Sequence, residues 1–196
     1  RNMLKSGKDQ SVVICGESGA GKTESATYIL NCLTFKSGAL STLNKQIIAS
    51  SELLESFGNA KTIRNRNSSR FGKFVFLNFT TVGEITGAHI TTYLLEKSRI
   101  IAREPLERTY HIFPYLLFGS NQEEKSSYNL LNFEEYNYLN GTSTQSEGID
   151  DVEGFQSVKN LMDVIGINEK TQFEYFKILS SILLIGNIEF LEDDNG

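Results

Sequence analysis

The chain has 196 residues, of which 39% are hydrophobic, and its formal net charge at pH 7 is −5. This length suits one compact domain, or one domain with part of a neighbour, and the hydrophobic content is enough for a packed core. The negative charge argues against non-specific binding to nucleic acid or anionic lipid, and no apolar run reaches the roughly 18 residues that a membrane-spanning helix needs. Two cysteines without a preceding secretory segment indicate free thiols in a reducing compartment, such as the cytoplasm.

The hydrophobic pattern of the first hundred residues predicts a mixture of helices and strands. An apolar run at 11–15 is typical of a buried strand. A helix is expected at 22–35 because apolar residues recur on one helical face. These residues are Ala26, Ile29, Leu30 and Leu33. A second helix is expected at 44–57, and alternating apolar residues predict a hairpin of two strands at 71–79 and 85–95. The buried residues expected on the second helix are Ile47, Leu54 and Phe57.

The pattern after about residue 100 predicts a mostly helical segment. Residues 106–118 are expected to be helical, with a kink or a restart at Pro114 because proline lacks the N–H that a helix interior needs. Polar residues at 121–148 indicate short helices and loops. Two longer helices are expected at 150–165 and 169–185, with a glycine-containing turn between them.

A complete phosphate-binding pattern follows the predicted first strand. It has the form G-x-x-x-x-G-K-[ST] and consists of Gly16, Glu17, Ser18, Gly19, Ala20, Gly21, Lys22 and Thr23. Glycines let backbone N–H groups converge on one point, and the following helix directs its positive end there. In such a phosphate loop (residues 16–23), Lys22 would contact the β and γ phosphates, and the hydroxyl of Thr23 would bind Mg²⁺. The pattern therefore predicts nucleotide binding, without choosing between ATP and GTP.

A polar loop (residues 65–70) precedes the predicted hairpin. Its sequence is Asn65-Arg66-Asn67-Ser68-Ser69-Arg70. A solvated surface loop is one interpretation. Beside a phosphate loop, a second interpretation gains weight, because hydroxyls can bind Mg²⁺ and hold a water molecule while amides reach phosphate oxygens.

Several motifs together resemble the motor head of myosins, in the same order along the chain. They are GESGAGKTES at 16–25, ESFGNAKTIRNRNSSRFGKF at 55–74, YLLEKSR at 93–99, ERTYHIF at 107–113 and ILLIGNIEF at 182–190. Kinesins share the phosphate loop and an N-x-x-S-S-R loop but continue it differently from Phe71-Gly72-Lys73. The resemblance implies an α/β fold with a P-loop NTPase core, in which a strand, the phosphate loop and a helix join a mixed central sheet. A mostly helical extension would follow.

The resemblance also implies a role for each polar residue of the two loops. Residues 16–23 would hold the phosphates, and Asn65 and Asn67 would contact phosphate oxygens. Thr23 and Ser69 would be the two Mg²⁺ ligands. The residues implied in catalysis are Lys22, Ser68 and Arg70. Ser68 would touch the γ-phosphate and position the attacking water. The sequence near Arg70 offers no obvious partner, and the resemblance implies one: a glutamate of a second switch loop outside this chain.

The function implied for the intact protein is Mg²⁺-dependent ATP hydrolysis coupled to movement on actin in the cytoplasm. Residues 1–104 would form the nucleotide-binding core, and 105–196 part of an actin-facing subdomain. Light chains or calmodulin would bind a lever outside the chain, while nucleic acid binding and membrane insertion are not expected. Because the second switch would also lie outside, we expect the segment alone to be inactive. Two alternatives remain at this stage: a kinesin-like motor, and a motor relative that binds nucleotide as a scaffold without cycling.

Three residues that invite a functional interpretation are expected to be structural. His89 is predicted to lie in a strand and His111 in a helix, and neither has a cysteine or carboxylate at metal-ligand spacing. Cys15 belongs to the predicted buried strand, where a free cysteine acts as a small hydrophobic residue.

Overall fold

The computed structural model describes residues 2–17, 19–36, 42–141 and 148–190. The elements before residue 100 are helices α1 (Asn2–Ser6), α2 (Lys22–Lys36) and α3 (Thr42–Gly58) and strands β1 (Asn59–Ala60), β2 (Ser68–Ser69), β3 (Gly72–Phe79) and β4 (Ile85–Tyr93). A 3₁₀ turn at Lys97–Ile100 leads into the second half. The elements of that half are helices α4 (Ile112–Gly119), α5 (Gln122–Tyr128), α6 (Asp151–Ile165) and α7 (Glu169–Ile185), with 3₁₀ turns at Phe133–Glu135 and Asn137–Leu139.

The strands in the described ranges form two separate antiparallel pairs. Strand β1 pairs with β2, and β3 pairs with β4 from Gly72 opposite Tyr93 to Phe79 opposite Ile85. The hairpin predicted from the alternating residues is therefore confirmed. It ends two residues early because Leu94 has a φ of 54°, which an extended strand cannot accommodate.

The predicted buried strand at 11–15 is not formed. Val12 and Val13 are 69% and 85% exposed, and Cys15 is exposed as well. A strand of this kind needs hydrogen-bonding neighbours at its edges and a layer against each face, and no described strand pairs with these residues. The expectation of a buried Cys15 is thus wrong. The described residues show the coarser α/β character, while the mixed central sheet stays a prediction.

Helix α3 connects two groups of buried apolar side chains. Its Ile47 packs in a small cluster with Leu30 of α2 and Ile85 of β4. Its Leu53 belongs to the main core, which α4, α6 and α7 also line. The residues of that core include Phe113, Leu116, Phe155, Val158, Met162, Phe176 and Leu183. The helix was predicted correctly, but Leu53 is its buried leucine, whereas Leu54 and Phe57 are only partly buried.

Helix α4 is shorter than the predicted helix at 106–118. It begins at Ile112, and Pro114 is its third residue. The first turn of a helix has N–H groups without intrahelical acceptors, so a proline there breaks no helix bond and causes no kink. Proline therefore marks the start of this helix. Residues 101–111 run irregularly, and Arg108 within them is fully buried.

The last two helices confirm the prediction closely, because their ends carry strong local signals. The Asp150 carboxylate accepts hydrogen bonds from the N–H groups of Val152 and Glu153 at the start of α6. Gly166, at a φ of 88°, ends that helix in the left-handed conformation. The Asn168 side chain then caps α7. No helix in the described ranges is long and apolar enough to cross a bilayer.

Candidate functional site

The phosphate loop leads directly into the first turn of α2. Gly19 and Gly21 have φ values of 83° and 80°, which favour glycine because a side chain would be strained there. The N–H of Ser25 donates to the Gly21 carbonyl at 2.9 Å and begins the helical ladder. The first N–H groups of any helix lack intrahelical acceptors, so this helix end suits an anion, and phosphate binding there stays a prediction. Ser18, also predicted to contact nucleotide, lies outside the described residues.

The Lys22 ammonium lies over the phosphate loop. Its Nζ donates to the carbonyl oxygens of Gly16 and Glu17 at 2.6 and 2.7 Å. These two carbonyls keep the Lys22 ammonium close to the loop. The positive N-terminal end of the α2 dipole, which also attracts anions, lies at the same place. A phosphate bound to the loop would offer Lys22 a stronger, charged acceptor.

The two predicted Mg²⁺ ligands lie side by side. Thr23 Oγ1 in the first turn of α2 is 3.1 Å from Ser69 Oγ in β2. Successive side chains of β2 point to opposite sides, so Ser68 is 4% exposed while Ser69 faces outward toward Thr23. The two hydroxyl oxygens fit Mg²⁺, which prefers oxygen ligands and is usually held by few protein groups together with phosphate and water. Within the described ranges, no cluster of three His, Cys, Asp or Glu residues offers a rival metal site.

The amides of the polar loop are oriented by hydrogen bonds to their oxygens. Asn65 Oδ1 accepts the N–H of Asn67 at 2.9 Å. Asn67 Oδ1 in turn accepts from Asn59 Nδ2 at 3.0 Å and lies 3.2 Å from His111 Nε2. With both oxygens engaged, the two Nδ2 groups are the donors that remain, and no described residue accepts from them. Donors of this kind suit phosphate oxygens.

His111 has a larger role at the site than the sequence indicated. It is 4% exposed and directly precedes α4, where it stacks on Tyr115 with ring centroids 5.7 Å apart. Burial, and then the nearby Arg108 charge, lower the His111 pKa to about 4, so the imidazole is neutral at physiological pH. Because Asn67 Oδ1 can only accept, Nε2 carries the ring proton. No motif spacing revealed this contact, since 44 positions separate the two residues.

Arg70 has a partner within the chain, contrary to the prediction. Its Nε donates to Glu96 Oε2 at 2.6 Å, and its Nη1 lies 3.4 Å from Ser68 Oγ. The same Glu96 oxygen accepts from Arg99 Nε at 2.7 Å. Hydrogen bonds from Arg70, and then from Arg99, hold the Glu96 pKa below its usual range, so the carboxylate is ionised. Glu96 was overlooked because it lies 26 positions away, beyond the hairpin.

Known proteins resemble this chain over nearly its whole length. A family model described as myosin head (motor domain) matches residues 1–196. The chain is 48% identical over 204 residues to a myosin IA heavy chain and 50% identical over 190 residues to a myosin-I heavy chain, both of Dictyostelium discoideum. It is 48% identical over 195 residues to unconventional myosin heavy chain 6 of Caenorhabditis elegans.

These alignments cover nearly all of this chain but little of each relative. They include 100%, 96% and 99% of the chain, against 20%, 8% and 9% of the three relatives in the same order. The kinesin-like alternative receives no support from them. Since the family model matches the chain from end to end, the chain belongs to the myosin head (motor domain) family.

Proposed function

We propose that the intact protein hydrolyses Mg²⁺-bound ATP and couples the reaction to movement along actin filaments. The observation that carries the proposal is the 3.1 Å approach of Thr23 Oγ1 and Ser69 Oγ, which joins the phosphate loop to the polar loop around one candidate cation position. Membership of the myosin head family supports ATP as the nucleotide and actin as the track. Residues 1–104 would serve as the P-loop nucleotide core and 105–196 as part of the actin-facing region.

In this proposal the phosphate loop binds the phosphates of the nucleotide, and the hydroxyls of Thr23 and Ser69 hold the Mg²⁺. Lys22 exchanges the carbonyls of Gly16 and Glu17 for phosphate oxygens, and the N–H groups at the start of α2 bind the same phosphates. Thr23 and Ser69 would hold Mg²⁺, which when bound neutralises charge on the β and γ phosphates. The Nδ2 groups of Asn65 and Asn67 supply further donors.

The chemical step assigned to the site is transfer of the γ-phosphoryl group to water. Phosphoryl transfer depends mainly on positioning and electrostatic stabilisation, so the protein must fix the water in line with the breaking bond. Ser68 is buried beside Arg70 and would orient that water. Arg70 would bind a glutamate of a second switch loop and close the site.

The proposed partners follow from the family rather than from a described surface. Actin filaments would bind the intact motor, light chains or calmodulin would bind a lever beyond this segment, and the protein would act on the cytoplasmic actin cytoskeleton. The segment alone is expected to be inactive.

A direct test is ATP turnover by the full-length protein with actin filaments, with microtubules and with neither. We expect stimulation by actin alone.

Lys22→Ala should weaken binding of a fluorescent ATP analogue by at least about tenfold, because a charge-assisted hydrogen bond is worth about 1.5–3 kcal/mol. Lys36→Ala, at the other end of the same helix, is the matched control and should bind normally. Nucleotide binding without turnover in any condition would instead favour a scaffold, and unchanged binding by Lys22→Ala would refute the phosphate-loop assignment.

A further inference from the structure

Glu96 lies at the centre of a network of charged side chains beside the polar loop. Its Oε2 accepts from Arg70 Nε at 2.6 Å and from Arg99 Nε at 2.7 Å. Arg99 Nη1 continues the network to Glu107 Oε2 at 2.8 Å. Glu107 Oε1 then accepts the N–H of Ile63 at 3.3 Å, just before the polar loop. The network therefore begins at Arg70 of the polar loop and ends at Ile63, two residues before that loop starts.

The backbone also fixes Glu96 in place. Its N–H donates to the Arg70 carbonyl at 3.0 Å, and its carbonyl accepts the Tyr110 hydroxyl at 2.6 Å. Arg99 is 4% exposed and so has little freedom to move, and Tyr110 is 2% exposed. Since the carboxylate is bound to a buried arginine and the backbone is held on both sides, Glu96 cannot swing away without breaking several contacts. It is a fixed point against which Arg70 is held.

The contact geometry determines which edge of the Arg70 guanidinium remains available. Glu96 takes Nε, and Ser68 Oγ lies near Nη1. Among the described residues, none accepts from Nη2. The guanidinium is planar and its donors have fixed directions, so holding Nε orients the outer end of the group. A second carboxylate can then bind that end without displacing Glu96.

We propose that Glu96 is a positioning residue for Arg70, which orients the arginine for ATP cleavage without itself touching nucleotide. This inference rests on the proposed function and deepens it. It predicts a specific kinetic pattern: removing Glu96 should leave nucleotide docking on the phosphate loop intact, whereas it should slow the cleavage step, because cleavage requires Arg70 in one orientation.

The test uses the full-length protein and separates binding from cleavage. Stopped-flow fluorescence measures binding of an ATP analogue, and quenched flow measures ATP cleavage in a single turnover. We expect Glu96→Ala to slow cleavage by about ten- to hundredfold, in line with the cost of losing a charged hydrogen bond or of misplacing a group by about 1 Å. Binding should stay within about threefold. Glu96→Asp should recover part of the rate, and Glu96→Gln should lie between Asp and Ala because it keeps an acceptor but not the charge.

A double-mutant cycle shows whether Glu96 acts through Arg70. If it does, Arg70→Ala with Glu96→Ala should cleave no more slowly than Arg70→Ala alone. Glu124→Gln is the matched control: it weakens an ion pair of similar length, 3.0 Å to Lys159, and keeps an acceptor for the cap of α5. This control should cleave ATP at the wild-type rate.

The outcomes are distinct. If Glu96→Ala cleaves at the wild-type rate while the wild type is active, the inference is overturned and the proposed function stands. Equal losses in binding and cleavage, or additive losses in the double mutant, would show a merely structural role and also overturn it. If Glu96→Ala does not fold, the Glu96→Gln and Glu96→Asp rates decide by the same criteria. A wild-type protein that cleaves no ATP would overturn the proposed function and this inference together.

Discussion

Thr23 Oγ1 and Ser69 Oγ are 3.1 Å apart, although 46 positions separate the two residues along the chain. Two elements produce this approach: α2 presents Thr23 in its first turn, and the pairing of β1 with β2 turns Ser69 outward. The distance is that of a hydrogen bond, so the two oxygens are already grouped on one side of a candidate Mg²⁺ position. A cation would need to move them only slightly.

Removing one of these hydroxyls should raise the Mg²⁺ concentration needed for nucleotide binding. We expect Ser69→Ala to require about tenfold more Mg²⁺ for half-maximal binding of a fluorescent ATP analogue, because the cation loses one of its few protein ligands. Titration with Mg²⁺ at constant nucleotide measures this. Ser50→Ala is the control, since among the described residues its hydroxyl bonds only the Gln46 carbonyl, within α3. An unchanged Mg²⁺ requirement for Ser69→Ala would remove Ser69 from the proposed site.

Arg70 should matter for cleavage more than for docking. In Arg70→Ala we expect ATP binding within about threefold of wild type and cleavage slower by about a hundredfold, because the water is no longer held in line. Arg70→Lys should rescue little, since an ammonium is a compact charge without the planar fork that reaches Glu96, Ser68 and a further carboxylate together. Quenched-flow measurements on both variants test this. Cleavage by Arg70→Ala at the wild-type rate would make Arg70 an ordinary surface residue.

Local signals in the sequence predicted most of the helices. Helices α6 and α7 were placed to within a residue because Asp150, Gly166 and Asn168 mark their ends with caps that depend only on neighbouring residues. The expected kink or restart at Pro114 was wrong because the effect of a proline depends on where the helix begins. The start of α4 depends in turn on the buried segment around Arg108, which no local pattern reveals.

Features that depend on distant partners were harder to predict. The apolar run at 11–15 predicts a strand. A strand forms only when neighbouring strands pair with it, and the described residues supply no such partner for this run. At the site, the phosphate loop was recognisable because all of its groups are consecutive. The contacts of Arg70 with Glu96 and of Asn67 with His111 join residues that are 26 and 44 positions apart, so they appear only after folding.

Gly154 should not tolerate alanine despite lying within α6. A Cβ built there would lie 2.5 Å from Cζ of the Tyr115 ring, which covers this point of the helix. Alanine favours a helix by about 1 kcal/mol over glycine, but forcing an extra carbon into packed surroundings costs about 1–3 kcal/mol. We therefore expect Gly154→Ala to lower the midpoint temperature of unfolding. Ser157→Ala, at an exposed position of the same helix, should not lower it, and an equal or higher midpoint for Gly154→Ala would show that Tyr115 can move aside.

The neutral His111 should make stability fall as pH decreases. Its pKa is about 4 in the fold, whereas an unfolded imidazole titrates near 6.5, so between these values only the unfolded chain gains the proton. The contribution of His111 to the free energy of unfolding is complete above about pH 6.5, and it decreases by about 3 kcal/mol when the pH falls to 4. His111→Gln keeps a donor for Asn67 without titrating, so its midpoint temperature should fall less steeply than the wild-type one over this range. Ser157→Ala should run parallel to the wild type, and parallel curves for His111→Gln would mean that Arg108 and the burial beside Tyr115 do not hold His111 neutral.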